Sequence, residues 1–388
     1  MQFTIIFYLV PVKIVVNTRL LIKDKLEGIG WFTYESLRRI TRDHPQDHFI
    51  FVFDREFEED FIFSDNITPV ILSPQARHPF LYYLWFEFSV THLLKDLKPD
   101  LFLSPDGYLS LRTDTKQLGV IHDINFRHHP EDLPFMERKY YNYFFPKYAH
   151  KATRLATVSA FSKNDIVNEF GITPSKIDIV YDGVNELFGP VASLEREAIK
   201  GKYTNGADYF VFVGALHPRK NISRLMQAFD GFKDMYSGSA KLVIVGEKMW
   251  WTPEIENNYN ALKFKGDVVF TGRLSQEELS RVIASSIAMV YVTYFEGFGI
   301  PILEGFQCET AVITSNLTAM PEVAGDSALL VDPFSVESIK GAMLLLAKDE
   351  PLRKALIEKG KIRKQKFSWN KTAALLWESV EKTVNGNR

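Results

Sequence analysis

The run Val290-Tyr291-Val292-Thr293-Tyr294-Phe295-Glu296-Gly297-Phe298-Gly299-Ile300-Pro301-Ile302-Leu303-Glu304 decides how the rest of the chain is read. It opens as an apolar strand, passes through a loop with two glycines and enters a helix at Pro301. Proline fits a first helical position, where its missing N–H has no intrahelical partner to lose. Gly297 and Gly299 leave the backbone bare where the unpaired N–H groups of that helix point outward, which is the make-up of an anion site. Two carboxylates, Glu296 and Glu304, flank it. Carboxylates repel phosphate, so beside an anion site they are read as acceptors for hydroxyls. Phosphate together with hydroxyls points to a nucleotide sugar. A strand, a glycine turn and a proline-started helix also occur in α/β proteins that bind nothing at that turn, so the rest of the chain has to decide between the two.

The bulk composition narrows the field. A length of 388 residues leaves room for about two or three domains. Apolar residues at 46% and charged residues at 24% are the balance of a globular protein, and 31 Phe with 16 Tyr imply large buried or interfacial surfaces. A formal charge of −2 gives no pull toward nucleic acid, so no nucleic-acid partner is expected. The single cysteine, Cys308, excludes an internal disulfide, implies a reducing compartment and reads as a core residue. Residues 3–12 are apolar but short of the ~20 needed to span a bilayer, and they lack a basic leader and a cleavage site. Since residues 12–16 already read as a complete first strand, the first eleven residues are taken as an extension or the product of a start codon placed too early. The expectation is a cytoplasmic protein, with peripheral contact at the inner face of the membrane left open.

Outward from the opening stretch, the chain alternates strands and helices. Strands are predicted at residues 13–16, 49–53, 69–72, 101–104, 117–121, 154–158 and 177–181, with helices near 31–41, 80–97, 136–150 and 162–169. Apolar runs of about five residues between helical patterns argue for a parallel sheet covered on both faces. The pattern breaks at Tyr181-Asp182-Gly183-Val184-Asn185, and the polar segment that follows to Asp208, with Gly201, Asn205 and Gly206, is the candidate linker. A second set follows, with strands at 210–213, 241–245, 268–271, 288–292, 312–314 and 329–331. Its helices are predicted at 221–232, 276–285, 301–307, 336–347 and 352–366, and a last amphipathic helix at 370–382. The predicted fold is therefore α/β, with two Rossmann-like doubly wound domains facing a central cleft that holds the ligand. The domains are placed at 1–187 and 188–368, with 369–388 as a C-terminal helix.

Several turns carry candidate chemistry. Leu216-His217-Pro218-Arg219-Lys220-Asn221 follows a strand and precedes a helix, so Arg219 and Lys220 sit at a strand's carboxyl end where fixed positive charge would neutralise a diphosphate. Lys25-Leu26-Glu27-Gly28-Ile29-Gly30-Trp31 is a glycine turn without the third glycine or the acidic ribose reader of a dinucleotide site, and no P-loop is present. Ile121-His122-Asp123-Ile124-Asn125 ends a strand, where His122 can hold a hydroxyl or serve as a structural histidine. His128 and His129 stand close by, but their spacing matches no standard zinc pattern and no Asp-x-Asp triplet is present. No metal site is expected. The mixed basic and aromatic stretch 138–148 is read either as a helix packing its rings inward or as a surface for a membrane or lipid-linked acceptor. The basic run 359–366 is read as a solvated helix face.

Glu296 and Glu304 within Glu-Gly-Phe-Gly-Ile-Pro-Ile-Leu-Glu resemble the signature of retaining glycosyltransferases of family GT4, which have the GT-B fold. Supporting segments cover most of the chain: 27–31, 121–125, 157–162, 181–185, 214–221, Met320-Pro321-Glu322-Val323-Ala324-Gly325, and the helix after Phe367-Ser368-Trp369. His122-Asp123 and Pro218-Arg219-Lys220-Asn221 are most similar to the mannosyltransferase branch. The resemblance implies a catalytic set of His122, Arg219, Lys220 and Glu296. Glu296 and the amides of Gly297, Phe298 and Gly299 would hold donor sugar and phosphate, and Glu304 the ribose. Gly30 would let the first-domain loop approach the diphosphate, and Gly272 to Leu274 would read the base. The last helix would cross back onto the first domain. Two departures stand out: Cys308-Glu309-Thr310 where members often have Cys-Gly, and Asp182-Gly183-Val184-Asn185 in place of Asn-Gly-Val-Asp.

The function expected from this is a metal-independent, cofactor-free, retaining hexosyltransferase. Its donor would be a nucleotide-diphosphate sugar, GDP-mannose by branch resemblance, and its acceptor a glycan or lipid-linked hydroxyl in surface polysaccharide synthesis. Two other readings stay open at this stage: a GT-B sugar-nucleotide epimerase or phosphorylase, and a donor-binding scaffold subunit without activity.

Overall fold

A computed structural model of the chain describes residues 11–248 and 251–386. The expectation about the N-terminal extension lies almost wholly outside the described residues. The first sheet holds β1 (Lys13–Asn17), β2 (His48–Phe53), β3 (Ile67–Ile71), β4 (Leu101–Ser104), β5 (Gln117–Val120), β6 (Arg154–Thr157) and β7 (Ile177–Ile179). They run parallel in the order β3-β2-β1-β4-β5-β6-β7. Strands such as β2 and β4 are apolar save for His48 and Ser104 at their ends because helices cover both faces, and Phe49, Phe51, Phe102 and Leu101 are wholly buried. The predicted helix at 80–97 is a continuous helical run whose middle, Trp85–Val90, widens into a π turn.

The second sheet holds β8 (Tyr209–Val213), β9 (Lys241–Val245), β10 (Val268–Gly272), β11 (Ala288–Tyr291), β12 (Ala311–Ser315) and β13 (Leu329–Val331). These too are parallel, in the order β10-β9-β8-β11-β12-β13. Both sheets reverse direction of growth beside their first strand, between β1 and β4 and between β8 and β11. In open α/β sheets the crevice beyond the strands' carboxyl ends at such a reversal is where ligands bind. The segments 214–221 and 292–299 leave β8 and β11 at that point.

The candidate linker is only partly a linker. Residues Ser193–Thr204 form a helix, with Asn205 at its C-terminus in the left-handed conformation (φ 56°). The Asn-Gly pair read as a loop signal is a helix stop. The helix is fixed to its neighbour Gln276–Ala284 by Tyr203 Oη donating to Glu278 (2.8 Å) and by the Arg281–Glu195 ion pair (2.9 Å). Amphipathic packing outweighed the polar look of the segment.

The last helix, Trp369–Asn385, returns to the first sheet and lies along the helix Gly28–Asp43. Arg39 Nε donates to Asn370 Oδ1 (2.6 Å), and Trp377 stacks on His44 with centroids 3.7 Å apart. Its start presses on the hinge. A Cβ on Gly183 would lie 2.3 Å from the Trp369 nitrogen, so only glycine fits there. Beside it Asp182 is buried, its Oδ1 has no hydrogen-bond partner, and burial holds its carboxyl well above the usual range. An acid whose pKa is raised by folding stabilises fully below its unfolded value, and that stability is lost as pH rises toward the folded value. Asp182→Asn has no proton to lose. Its thermal midpoint should therefore pull further above that of the wild type as pH rises from the ordinary carboxylate range to neutrality; a difference that does not change with pH would refute the assignment.

Candidate functional site

The second domain supplies the positive wall. After β8 the chain makes a short turn, Pro218–Lys220, ending at Asn221 in the left-handed conformation (φ 62°) before the helix Ile222–Met235. The buried Asn221 amide donates to Val292 O (3.0 Å) and Pro333 O (2.6 Å), which ties the turn to the end of β11. His217 Nδ1 accepts from the Arg219 N–H, and burial beside Arg219 drops its pKa to about 4, so it stays a neutral acceptor. Lys220 Nζ reaches Tyr291 Oη at 2.7 Å and Glu296 Oε1 at 2.5 Å, while Arg219 lies 3.6 Å from Glu296 Oε2. Burial pulls the Lys220 ammonium below its ordinary pKa, with Glu296 opposing. For Arg219 burial acts the same way, but the carboxylates of Glu296 and Asp123 outweigh it and hold the charge.

The first domain closes the opposite wall. Arg219 Nη1 donates across the cleft to Asp123 Oδ2 at 3.1 Å, and that pairing outweighs burial and holds the Asp123 carboxyl below its usual range. His122 Nε2 lies 2.9 Å from Pro105 O. A carbonyl can only accept, so Nε2 carries the proton. Burial lowers the pKa of the ring, so the neutral tautomer presents a bare Nδ1. The two walls touch at Gly297, where a Cβ would lie 2.2 Å from His122 O and 2.9 Å from Asp123 Cβ. Ser159 Oγ donates to Gly297 O (2.6 Å), and Ser162 Oγ lies 3.0 Å from His122 O. Next to this seam the Glu322 carboxylate accepts from the backbone N–H groups of Ala160 (2.8 Å) and Phe161 (3.0 Å) and from Tyr181 Oη (2.9 Å). A negative side chain from one domain thus sits on the helix N-terminus of the other, where the helix dipole favours it.

The helix at the end of the opening stretch begins at Ile300, with Pro301 one residue further in than expected, and Gly299 caps it at φ 101°. The bareness of Gly299 also makes room for Met320, whose Cε would lie 2.7 Å from a Cβ there. Glu304, in the first turns of that helix, is half-buried, with its Oε2 turned inside. Its Oε2 has no partner, and burial pushes its carboxyl up to about 7 against the pull of Lys220. Phe298 packs its ring on Tyr181 and Phe367, centroids 6.2 Å and 5.6 Å away. Gly272 (φ 71°) faces open space, Leu274 is half-buried, and Arg273 between them donates to Leu26 O (3.2 Å) in the first-domain glycine turn. In that turn a Gly30 side chain would meet Leu20 O and Leu26 at 3.3 Å, whereas Gly28, at the helix start, has nothing within 4 Å. Glu309 takes the left-handed conformation that suits glycine (φ 54°) and pairs with Lys361 (2.9 Å). Cys308 is buried, and burial raises its thiol to about 12, in keeping with a core residue.

Two family models match, and together they span most of the chain. "Glycosyltransferase Family 4" covers residues 26–186, and "Glycosyl transferases group 1" covers residues 195–363. The chain belongs to glycosyltransferase family 4. The O-antigen chain mannosyltransferase B of Escherichia coli is 27% identical over 375 residues, 90% of this chain and 94% of that protein. Among solved structures, the sucrose-phosphate synthase of Thermosynechococcus elongatus superposes with TM-score 0.77 at 15% identity over 97% of this chain and all of that one. HepE of Anabaena, solved with UDP-glucose, superposes with TM-score 0.73 at 13% identity, covering 96% and 100%. The two facing parallel sheets with a returning helix are the GT-B fold.

In this family 4 glycosyltransferase, sequence reasoning passed over the groups that hold the two walls together. Asp123 and Glu322 were quoted only as parts of motifs, and Tyr291 only as a strand residue. Tyr294, whose hydroxyl donates to Asp132 at 2.8 Å, was also missed. Asp123, Tyr291 and Tyr294 share one signal, a place at or just beyond a strand's carboxyl end, whereas Glu322 carries none. His128 pairs with Asp165 (2.7 Å) and His129 with Glu131 (3.4 Å). Among the described residues no three His, Cys, Asp or Glu side chains gather in a way that could hold a metal ion. The seam gives a direct test. Gly297→Ala should push the domains apart, enlarging the radius seen by small-angle scattering, and lower transfer by on the order of 10²-fold, the usual cost of misplacing reacting groups by ~1 Å. An unchanged scattering profile would show that the seam tolerates a side chain.

Proposed function

We propose that this chain is a retaining hexosyltransferase that moves mannose from GDP-mannose to a hydroxyl of a glycan or lipid-linked acceptor, without a divalent metal. The arrangement that carries the reading is Arg219 and Lys220 side by side at the β8 reversal point, facing His122 and Asp123 across the cleft. The mannosyltransferase relative favours mannose and an O-antigen type of surface polysaccharide. In this reading the reaction takes place on the cytoplasmic side, with peripheral contact to the membrane.

In this reading the diphosphate settles on Arg219, Lys220 and the amides at the start of the Ile300 helix, taking over the cations that Glu296 and Asp123 now neutralise. Glu296 is then free to accept from sugar hydroxyls, Glu304 from the ribose, and His122 Nδ1 from a hydroxyl of the transferred sugar. As the bond from the sugar's anomeric carbon to the diphosphate oxygen breaks, its electron pair goes to the phosphate, and fixed positive charge stabilises it there. The acceptor oxygen adds to the same face of the sugar and its proton passes to the departing phosphate oxygen. Retention follows from that geometry and needs no base on the opposite face. Base recognition falls to the loop Gly272 to Leu274.

Lys220→Ala should lower transfer by about 100- to 1000-fold, the usual cost of removing one preorganised charge-stabilising donor; full activity in a coupled assay for released GDP would end the proposal. Glu304 supplies a second check. Below about pH 7 its carboxyl is protonated, and above it both oxygens accept. Affinity for GDP-mannose, measured by calorimetry, should therefore strengthen about tenfold from one unit below that value to one unit above. Glu304→Gln should flatten the dependence, and the same slope in the variant would move the ribose elsewhere.

A further inference from the structure

The helix Phe135–Lys151 has its rings on two sides. Tyr140, Phe145 and Tyr148 are buried in the first domain, as one of the two sequence readings held. The opposite stripe, Met136, Lys139, Tyr143, Lys147 and His150, is exposed at helical spacing and holds no acid. Glu137, the only acid of that helix, is half-buried and off the stripe. Alongside lies a groove of about 490 Å³ lined by Phe80, Tyr83, Met136, Lys139, Tyr143 and Phe144 among others. Phe80, Met136 and Tyr143 are 61%, 58% and 58% exposed and lie together along one groove, a contiguous apolar patch and not scattered single residues.

The cations here lie flat on rings instead of pairing with acids. Lys147 Nζ is 3.4 Å from the Tyr143 centroid, Lys139 Nζ 4.4 Å from Phe135, and the Arg112 guanidinium 4.5 Å from Phe88. Among the described residues neither Lys139 nor Lys147 has a carboxylate partner; Arg112 has Glu87 at 3.9 Å. A chain of net charge −2 has thus gathered unpaired positive charge around exposed aromatics on one face. A second copy meeting this patch about a two-fold axis would set these charges against one another. Among the described residues no helix is long and apolar enough to cross a membrane, so the patch suits surface contact.

We propose that this face docks on the surface of an anionic phospholipid bilayer, with the exposed rings at headgroup depth and Lys139, Lys147 and Arg112 among the phosphates. The helix follows directly on the loop that carries Asp132, which Tyr294 binds across the cleft, so docking would hold the acceptor side of the cleft against the lipid. The proposal rests on the reading of a membrane-proximal acceptor given above, but its test does not need transfer. The full-length chain should co-sediment with vesicles of equal parts phosphatidylglycerol and phosphatidylcholine, and at least about tenfold less with phosphatidylcholine alone. Lys139→Glu with Lys147→Glu should weaken that binding at least about tenfold, and raised salt should do the same to the wild type. Phe80→Ser with Tyr143→Ser should weaken binding even at low salt. Circular dichroism and thermal midpoints matching the wild type confirm that both variants fold. Equal binding to both vesicles, no binding to either, or variants that bind like the wild type would overturn the proposal. So would a dimer that the same variants dissociate, or a short-chain prenyl diphosphate bound in place of vesicles. Transfer to a soluble oligosaccharide would still proceed in each of those cases if the reading of the cleft is right.

Discussion

The contact on which the site depends is made by an absent side chain. Gly297 presses on the carbonyl of His122 so closely that a single carbon would not fit. Several cross-cleft features gather around that contact: the Arg219–Asp123 pair, the Ser159 and Ser162 hydroxyls, and the Glu322 carboxylate on the Ala160 helix. Each sheet buries its own apolar strands under its helices. What the seam adds is position. It fixes the distance between a positive wall from one sheet and a neutral imidazole from the other.

Electrostatically the cleft holds buried cations whose ion-pair partners are all carboxylates of the site itself. Two cations, Arg219 and Lys220, stand among Glu296 and Asp123, both of which belong to the site and can give up their partners. Such carboxylates compensate burial of the cations, which would otherwise cost several kcal/mol each. Glu304 is different. Among the described residues it has no cation within hydrogen-bonding reach and one buried oxygen without a partner, and burial raises its carboxyl to about 7.

The strands and most helices were legible because buried parallel strands read as short apolar runs, and Gly299 with Pro301 marked a helix start from composition alone. The Ser193–Thr204 helix was hidden because its charged residues outnumber its few buried ones, Ile199 and Thr204. Arg219, Lys220 and Glu296 were found as a group because each sits at a strand end, and the topology of a doubly wound sheet brings strand ends together. Glu322 could not be found this way, since its partners are backbone amides and a tyrosine more than a hundred positions away, and Asp123, though at a strand end, showed no sign of its pairing with Arg219. Gly297, Gly299 and Gly30 were read as bare backbone for a ligand, and the structure shows each also making room for a neighbouring protein group.

The returning helix has a consequence for the order in which the molecule can be made. Arg39 and Asn370, which hydrogen-bond, are 331 residues apart. The first sheet and the helix Gly28–Asp43 are made long before Trp369–Asn385, so the surface meant for that helix stays bare until it emerges. The first domain cannot be completed before then, however fast its strands pair, and a chain stopped before residue 369 would carry that open apolar face permanently. Such long-range closure slows folding and exposes sticky surface meanwhile. Maturation of the first domain is therefore governed by the arrival of Trp369–Asn385.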